Sequence, residues 1–166
     1  MSSSTSSIVG ANVTDLVNGT GTGSDEGNQF ELGTYRNGPD GDEWIYCHAS
    51  EILTANNAVL ISEDFEVQNV DNTATASGFG LMCGVCETTC ADNDFLWIKI
   101  NGETVLNVAT DAAVHTQLNT TATAGRLDDD ATAGAEVIEG IITTGAEASN
   151  VATALLTRPR VGATLT

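Results

Sequence analysis

Basic side chains are scarce in this chain: five Lys and Arg stand against 23 Asp and Glu in 166 residues, a formal charge of -18. That balance repels a nucleic-acid backbone and leaves few cations to neutralise phosphates, so DNA and RNA are poor partners. Aromatics make up only 5% of the chain, and there are two prolines and two histidines. No window approaches the roughly 18 consecutive apolar residues that a membrane-spanning helix needs. The first ten residues have neither the basic start nor the apolar centre of a secretory signal, which predicts a soluble protein made and kept in the cytosol. In that setting the glycosylation sequons at Asn12, Asn18 and Asn119 carry no meaning. Catalytic signatures are equally thin. His48 and His115 have no Ser or Cys in a nucleophile motif to serve, and Gly19 to Gly27 lacks the Lys and the flanking strand and helix of a phosphate loop. The chain reads as a binding or structural protein, not an enzyme, and calls for no cofactor.

What is present is a supply of small and β-branched residues in short apolar runs between turn signals. Such a composition suits short strands and tight loops. The clearest strand is Trp44 to Ala49, with Trp44, Tyr46 and His48 facing one way and Ile45, Cys47 and Ala49 the other. Further strands are expected near Glu31 to Tyr35, Val59 to Ile61, Phe65 to Val70, Phe79 to Glu87, Val137 to Thr143 and Val151 to Leu156. A helical turn is expected within Ser50 to Asn57, and polar loops at Asp71 to Ser77 and from Leu127 to Gly134. The strongest local pattern is Phe95 to Val108, where Asn101-Gly102 divides two apolar runs. Asn-Gly readily forms a type I′ turn, so a two-residue hairpin is expected. In its register Leu96, Ile98 and Val105 share one face, and Phe95, Trp97, Leu106 and Val108 the other. A hairpin apolar on both sides needs two coverings. The second is assigned to other copies of the chain, as a homotrimer in which Trp97→Asp would leave a folded monomer.

The architecture predicted is all-β: a small β-sandwich or barrel of about eight to ten short strands spaced at roughly 8–12 residues, with an extended N-terminal arm. Residues 1–29 read as a flexible arm, 30–157 as the β domain and 158–166 as a C-terminal tail. The arm carries Ile8, Val9, Leu16 and Val17 as apolar points for docking on a neighbour, and its removal is expected to leave the fold intact. In the tail, Pro159 is expected to hold Arg158 and Arg160 outward toward an acidic patch on a partner. The four cysteines, Cys47, Cys83, Cys86 and Cys90, admit three states: reduced core thiols, a disulfide formed after release from the cell, or a Zn²⁺ site. The acidic loops at 40–43, 92–94 and 128–130 match no EF-hand pattern and read as solvated surface.

Three longer phrases, GPDGDEWIYCHASEI (38–52), FGLMCGVCETTCADNDFLWIKINGETVLNV (79–108) and the run from Thr120 to Val161, together resemble small head proteins of tailed bacteriophages. They are similar to capsid decoration, or cement, proteins. The resemblance spans roughly Leu32 to Val161 and includes the late phrase Ile138-Glu139-Gly140-Ile141, while the cysteines near Val85 depart from the usual aliphatic or small residues. It implies an all-β module, often trimeric, that binds the major capsid protein on the outside of the shell, with no nucleic-acid or membrane partner. Its place would be the virion exterior, after synthesis in the bacterial host cytoplasm. The alternative is a receptor- or glycan-binding β-module of a phage tail or fibre, which would show exposed aromatics in a loop.

Overall fold

The computed structural model of the chain describes residues 12–14, 16–17, 29–130 and 132–166. These residues form ten strands and no α-helix: β1 (Tyr35–Asn37), β2 (Glu43–Ala49), β3 (Asn57–Ile61), β4 (Glu66–Asn69), β5 (Met82–Cys86), β6 (Phe95–Asn107), β7 (Leu118–Thr120), β8 (Leu127–Asp128), β9 (Glu136–Thr143) and β10 (Val151–Thr164). The all-β expectation and the strand number hold. A single 3₁₀ turn, Pro39–Gly41, leads into β2, whereas 50–57 forms bends and a turn where a helical turn is expected.

The hairpin does not form. The segment from Phe95 to Asn107 is one continuous strand, because each half finds a different long-range partner. Its first half pairs with β2, Ile45 opposite Ile98 and Tyr46 opposite Trp97, and with β5. Its second half pairs with β10, from Asn107 opposite Val151 to Asn101 opposite Thr157. A type I′ turn needs positive φ at both central residues. Gly102 has it, at 100°, and Asn101 does not, so the pair makes a kink instead of a reversal.

This long strand is shared by two closed circuits. The first runs β2–β4–β3–β5–β6 and back to β2, with only the β2–β4 step parallel. The second runs β6–β10–β9–β7–β8, and the parallel bridge between Val108 and Leu127 closes it. Closing the sheet on itself removes most exposed edges. Strand alternation then divides the core. Ile45, Cys47, Ala49, Val59, Ile61, Val67, Leu96, Ile98 and Ile100 line the first circuit. Leu106, Val108, Leu118, Leu127, Ile138, Ile141, Ala152, Ala154 and Leu156 line the second, joined by Ala58, Leu60, Cys83 and Val85 from the opposite faces of β3 and β5. Those two strands are buried on both sides, which is why their sequences read as unbroken small and apolar runs. Between the circuits, buried Asn57 donates to Asn69 (2.7 Å) and accepts from Asn107 (2.7 Å), a polar link among β3, β4 and β6.

The Trp97 face is inside the protomer. Trp97 is 2% exposed and packs with Trp44 and Tyr46, covered by Val13, Phe30, Leu32 and Phe95. Ring centroids lie 5.1 Å from Trp97 to Tyr46 and 5.3 Å from Trp97 to Phe30. Leu106 and Val108, fully buried, do not share this face. In an uninterrupted strand they fall on the same side as Leu96 and Ile98, since only the reversal would have moved them across. The oligomer interface expected from Phe95, Trp97, Leu106 and Val108 is therefore corrected: Phe95 and Trp97 are covered by the chain's own N-terminal segment, and Leu106 and Val108 lie in the core of the second circuit. Val17 pairs with Phe95 through two backbone hydrogen bonds (3.0 and 2.8 Å) and is itself 2% exposed. Of the arm's four apolar points, Val17 is thus used internally and Leu16 is 39% exposed, while Ile8 and Val9 lie outside the described residues.

Candidate interaction surface

The two tail arginines belong to β10, which continues to Thr164, so the expected tail from residue 158 is instead strand. Opposite Gly140 (φ 81°), the pairing of β10 with β9 jumps from Leu156–Ile141 to Arg160–Glu139. The surplus residues bulge out, and Arg158 takes a positive φ of 51°. That bend turns Arg158 back onto β2, where Nε and Nη2 donate to the two carboxylate oxygens of Glu43 at 2.7 and 2.9 Å. The bidentate pair fixes the strand crossing and takes Arg158 out of the set of free donors, which corrects its expected role. Arg160, two residues on, is exposed and makes no ion pair among the described residues.

Beside Arg160 the turn before β5 presents Phe79 to solvent. Leu81 N donates to Gly78 O (2.8 Å), Gly80 N to Val161 O (2.8 Å) and Val161 N to Leu81 O (3.0 Å), so the turn is pinned to β10. Gly80, at φ 83°, supplies the backbone conformation, and Phe79 is left 80% exposed. Tyr35 on β1 is 47% exposed. A shallow concavity of about 240 Å³ lies among Tyr35, Gly80, Met82, Arg158, Pro159 and Arg160. An aromatic ring on a hydrogen-bonded turn, with a second ring on β1, a thioether on β5 and an exposed guanidinium on β10, has the composition of a protein-docking patch. Sequence reading missed Phe79 by placing it inside a strand. The Gly78-Phe79-Gly80 flanks were the available sign that it stands on a turn.

The four cysteines do not converge. β5 extends through Cys86, so alternation sends Cys83 into the second circuit's core while Cys47, Cys86 and Cys90 face the first. Among the described residues no three His, Cys, Asp or Glu side chains are grouped to hold a metal, and all four thiols are free and buried. Cys86 Sγ donates to Thr88 O (2.8 Å). Its thiol is pushed up by a hydrogen bond with Cys90 and by burial, and Cys90 is moved down by the same contact. Burial pushes Cys47 up, and Cys83 from 9.0 to about 12. These shifts have a sign that can be measured. Above pH 9 an unfolded Cys83 ionises while the folded one holds its proton, so stability is full below pH 9 and falls from there to about pH 12. The urea midpoint of the wild type is expected to decline across that window, and Cys83→Ala to flatten the decline.

No family's sequence profile matches the chain, and no curated protein is significantly similar to it.

Proposed function

We propose that this protein is a virion structural protein that binds the outer surface of a phage capsid and reinforces it. The observation that carries the reading is Phe79, a large apolar side chain held out on a turn that is hydrogen-bonded to β10, the strand that also carries the exposed Arg160 in an otherwise acidic chain. Rigid aromatic anchors beside an arginine are the usual centres of protein-protein contacts. The resemblance of residues 32–161 to decoration proteins supports the major capsid protein as the partner. A fold of two closed circuits sharing one strand suits a module that must hold shape while many copies bind a shell by summed weak contacts. Trimer formation stays part of this proposal without Trp97.

A second reading, a receptor- or glycan-binding module of a tail or fibre, is favoured by the same exposed Phe79 and Tyr35, since sugars stack on exposed rings. Co-sedimentation with empty shells separates the two. Wild-type protein is expected to pellet with shells, and Phe79→Asp to bind at least about tenfold more weakly, the loss of an anchor of roughly 2 kcal/mol. Its urea midpoint should not change, because the ring is largely in solvent already. Retention on a glycan surface with no binding to shells would replace the first reading by the second.

A further inference from the structure

Lys99 is one of five basic residues and the only one buried among those described, at 5% exposure. Its Nζ lies 3.3 Å from Asp42 Oδ2 and 3.6 Å from Glu87 Oε1, and it donates to Glu103 O at 2.5 Å. The Trp44 ring covers it, with Nζ 5.0 Å from the ring centroid. The three charged groups come from three neighbouring elements: Asp42 precedes β2, Glu87 follows β5 and Lys99 is on β6. Each carboxylate is held. Glu87 accepts from Trp44 Nε1 (2.8 Å) and Thr104 Oγ1 (3.2 Å). The backbone of Asp42 is fixed by bonds to Pro39 O and from Gly38 N, and Asn101 Nδ2 ties the same loop through Gly41 O (2.7 Å). Its carboxylate lies against the bare α-carbon of Gly102, where any Cβ would overlap it. For structural purposes, a lysine packed under an indole with two carboxylates is an expensive arrangement. An apolar trio of the same volume would stabilise the strand junction as well or better.

We propose that Lys99 and Asp42 are joined by an intramolecular isopeptide bond, formed by the folded chain with Glu87 as the catalytic acid and base. In the reacting pair a proton passes from Lys99 to Asp42, giving amine and carboxylic acid. The Nζ lone pair attacks Cγ of Asp42. Glu87 takes the proton that Nζ sheds and returns it to the departing hydroxyl, so one C–N bond forms, one C–O bond breaks and one water leaves. No oxidant, metal or external reactant enters the balance. Fixing both reactants against one another is worth an effective concentration of about 10⁵–10⁸ M in well-oriented cases, which offsets the reluctance of free acids and amines to condense in water. The product amide N–H can keep its bond to Glu103 O. The link would tie the loop ahead of β2 to the strand shared by both circuits, a covalent clasp independent of any binding partner.

Intact-mass measurement of the full purified chain tests this. The wild type is expected to weigh one water less than its sequence, with a branched peptide linking Asp42 to Lys99 after digestion. Lys99→Met and Glu87→Gln are expected at full mass, the second with an unchanged circular-dichroism spectrum. Asp42→Asn should reach the same final mass as the linked wild type, by losing ammonia in place of water, and this variant keeps the test decisive if another fails to fold. Wild-type protein at full sequence mass, with Lys99 open to acetylation after denaturation, overturns the proposal. Equal bond formation in Glu87→Gln overturns the role of Glu87.

Discussion

Replacing Trp97 with Ala is expected to lower folding stability by about 3–5 kcal/mol, the range for emptying a large buried aromatic site. The indole is 2% exposed and meets Tyr46 and Phe30 at centroid distances of 5.1 and 5.3 Å, so aromatic pairing is lost as well as volume. Against a typical total of roughly 5–15 kcal/mol, such a change moves the urea midpoint by a large fraction. Trp97→Asp, which also buries an unpaired charge, should not fold. The size of the effect discriminates between two structures of the same sequence. Were Trp97 an intersubunit residue on a free-standing hairpin, Trp97→Asp would yield a stable monomer with an unchanged dilute-solution midpoint. An unfolded Trp97→Asp and a destabilised Trp97→Ala place the residue under its own N-terminal segment. Truncating that segment through Val17 should then cost stability too, since Val13 would leave the cluster and Phe95 would lose its backbone pairing with Val17.

The contrast marks where sequence reading succeeded and where it could not. β2 was legible almost to the residue, because Trp44, Tyr46 and His48 alternate with Ile45, Cys47 and Ala49, and both faces are packed. The Asn101-Gly102 signal was local and true to its chemistry, yet two long-range partners outweighed it. Pairing with β2 and β10 extends the ladder through Asn101, whereas a hairpin would satisfy the two halves only with each other. β7 and β8, three and two residues long, have no pattern of their own and exist because β9 and Val108 present partners. β10 was expected to stop at Leu156, since Arg158-Pro159-Arg160 looks like a tail. A bulge opposite Gly140 absorbs those residues and the strand resumes. The same bulge explains the arginines. Their charge could be read from sequence, but the partner of Arg158 lies 115 positions away on β2. The Lys99 site was illegible for the same reason, as Asp42, Glu87 and Lys99 meet only when the first circuit closes.

Gly84→Val is expected to abolish folding, and Gly84→Ala to cost about 3 kcal/mol or more, at the upper end for overpacking. Gly84 lies opposite Val59 on β5, with Cys83 and Val85 turned to the other core, so its missing side chain would point into the first circuit. A Cβ there would stand 2.7 Å from Lys99 O and closer still to a methyl of Ile98. The Ile98 methyl could rotate away, but the carbonyl is part of the β5–β6 ladder, where Val85 opposes Lys99. Relief would require β6 to move outward, and β6 is the strand both circuits share. Strain introduced at one point on β5 would therefore open two closed sheets instead of one. Gly80→Ala provides the control: that glycine has φ 83° but no atom within 4 Å of its would-be Cβ, so only the backbone cost of roughly 1–2 kcal/mol applies. Urea midpoints in the order wild type, Gly80→Ala, Gly84→Ala, with Gly84→Val recovered only as insoluble protein, would establish β6 as the common wall. Equal midpoints for the two alanine variants would mean that the circuits yield at this crossing and that β6 is not held from both sides.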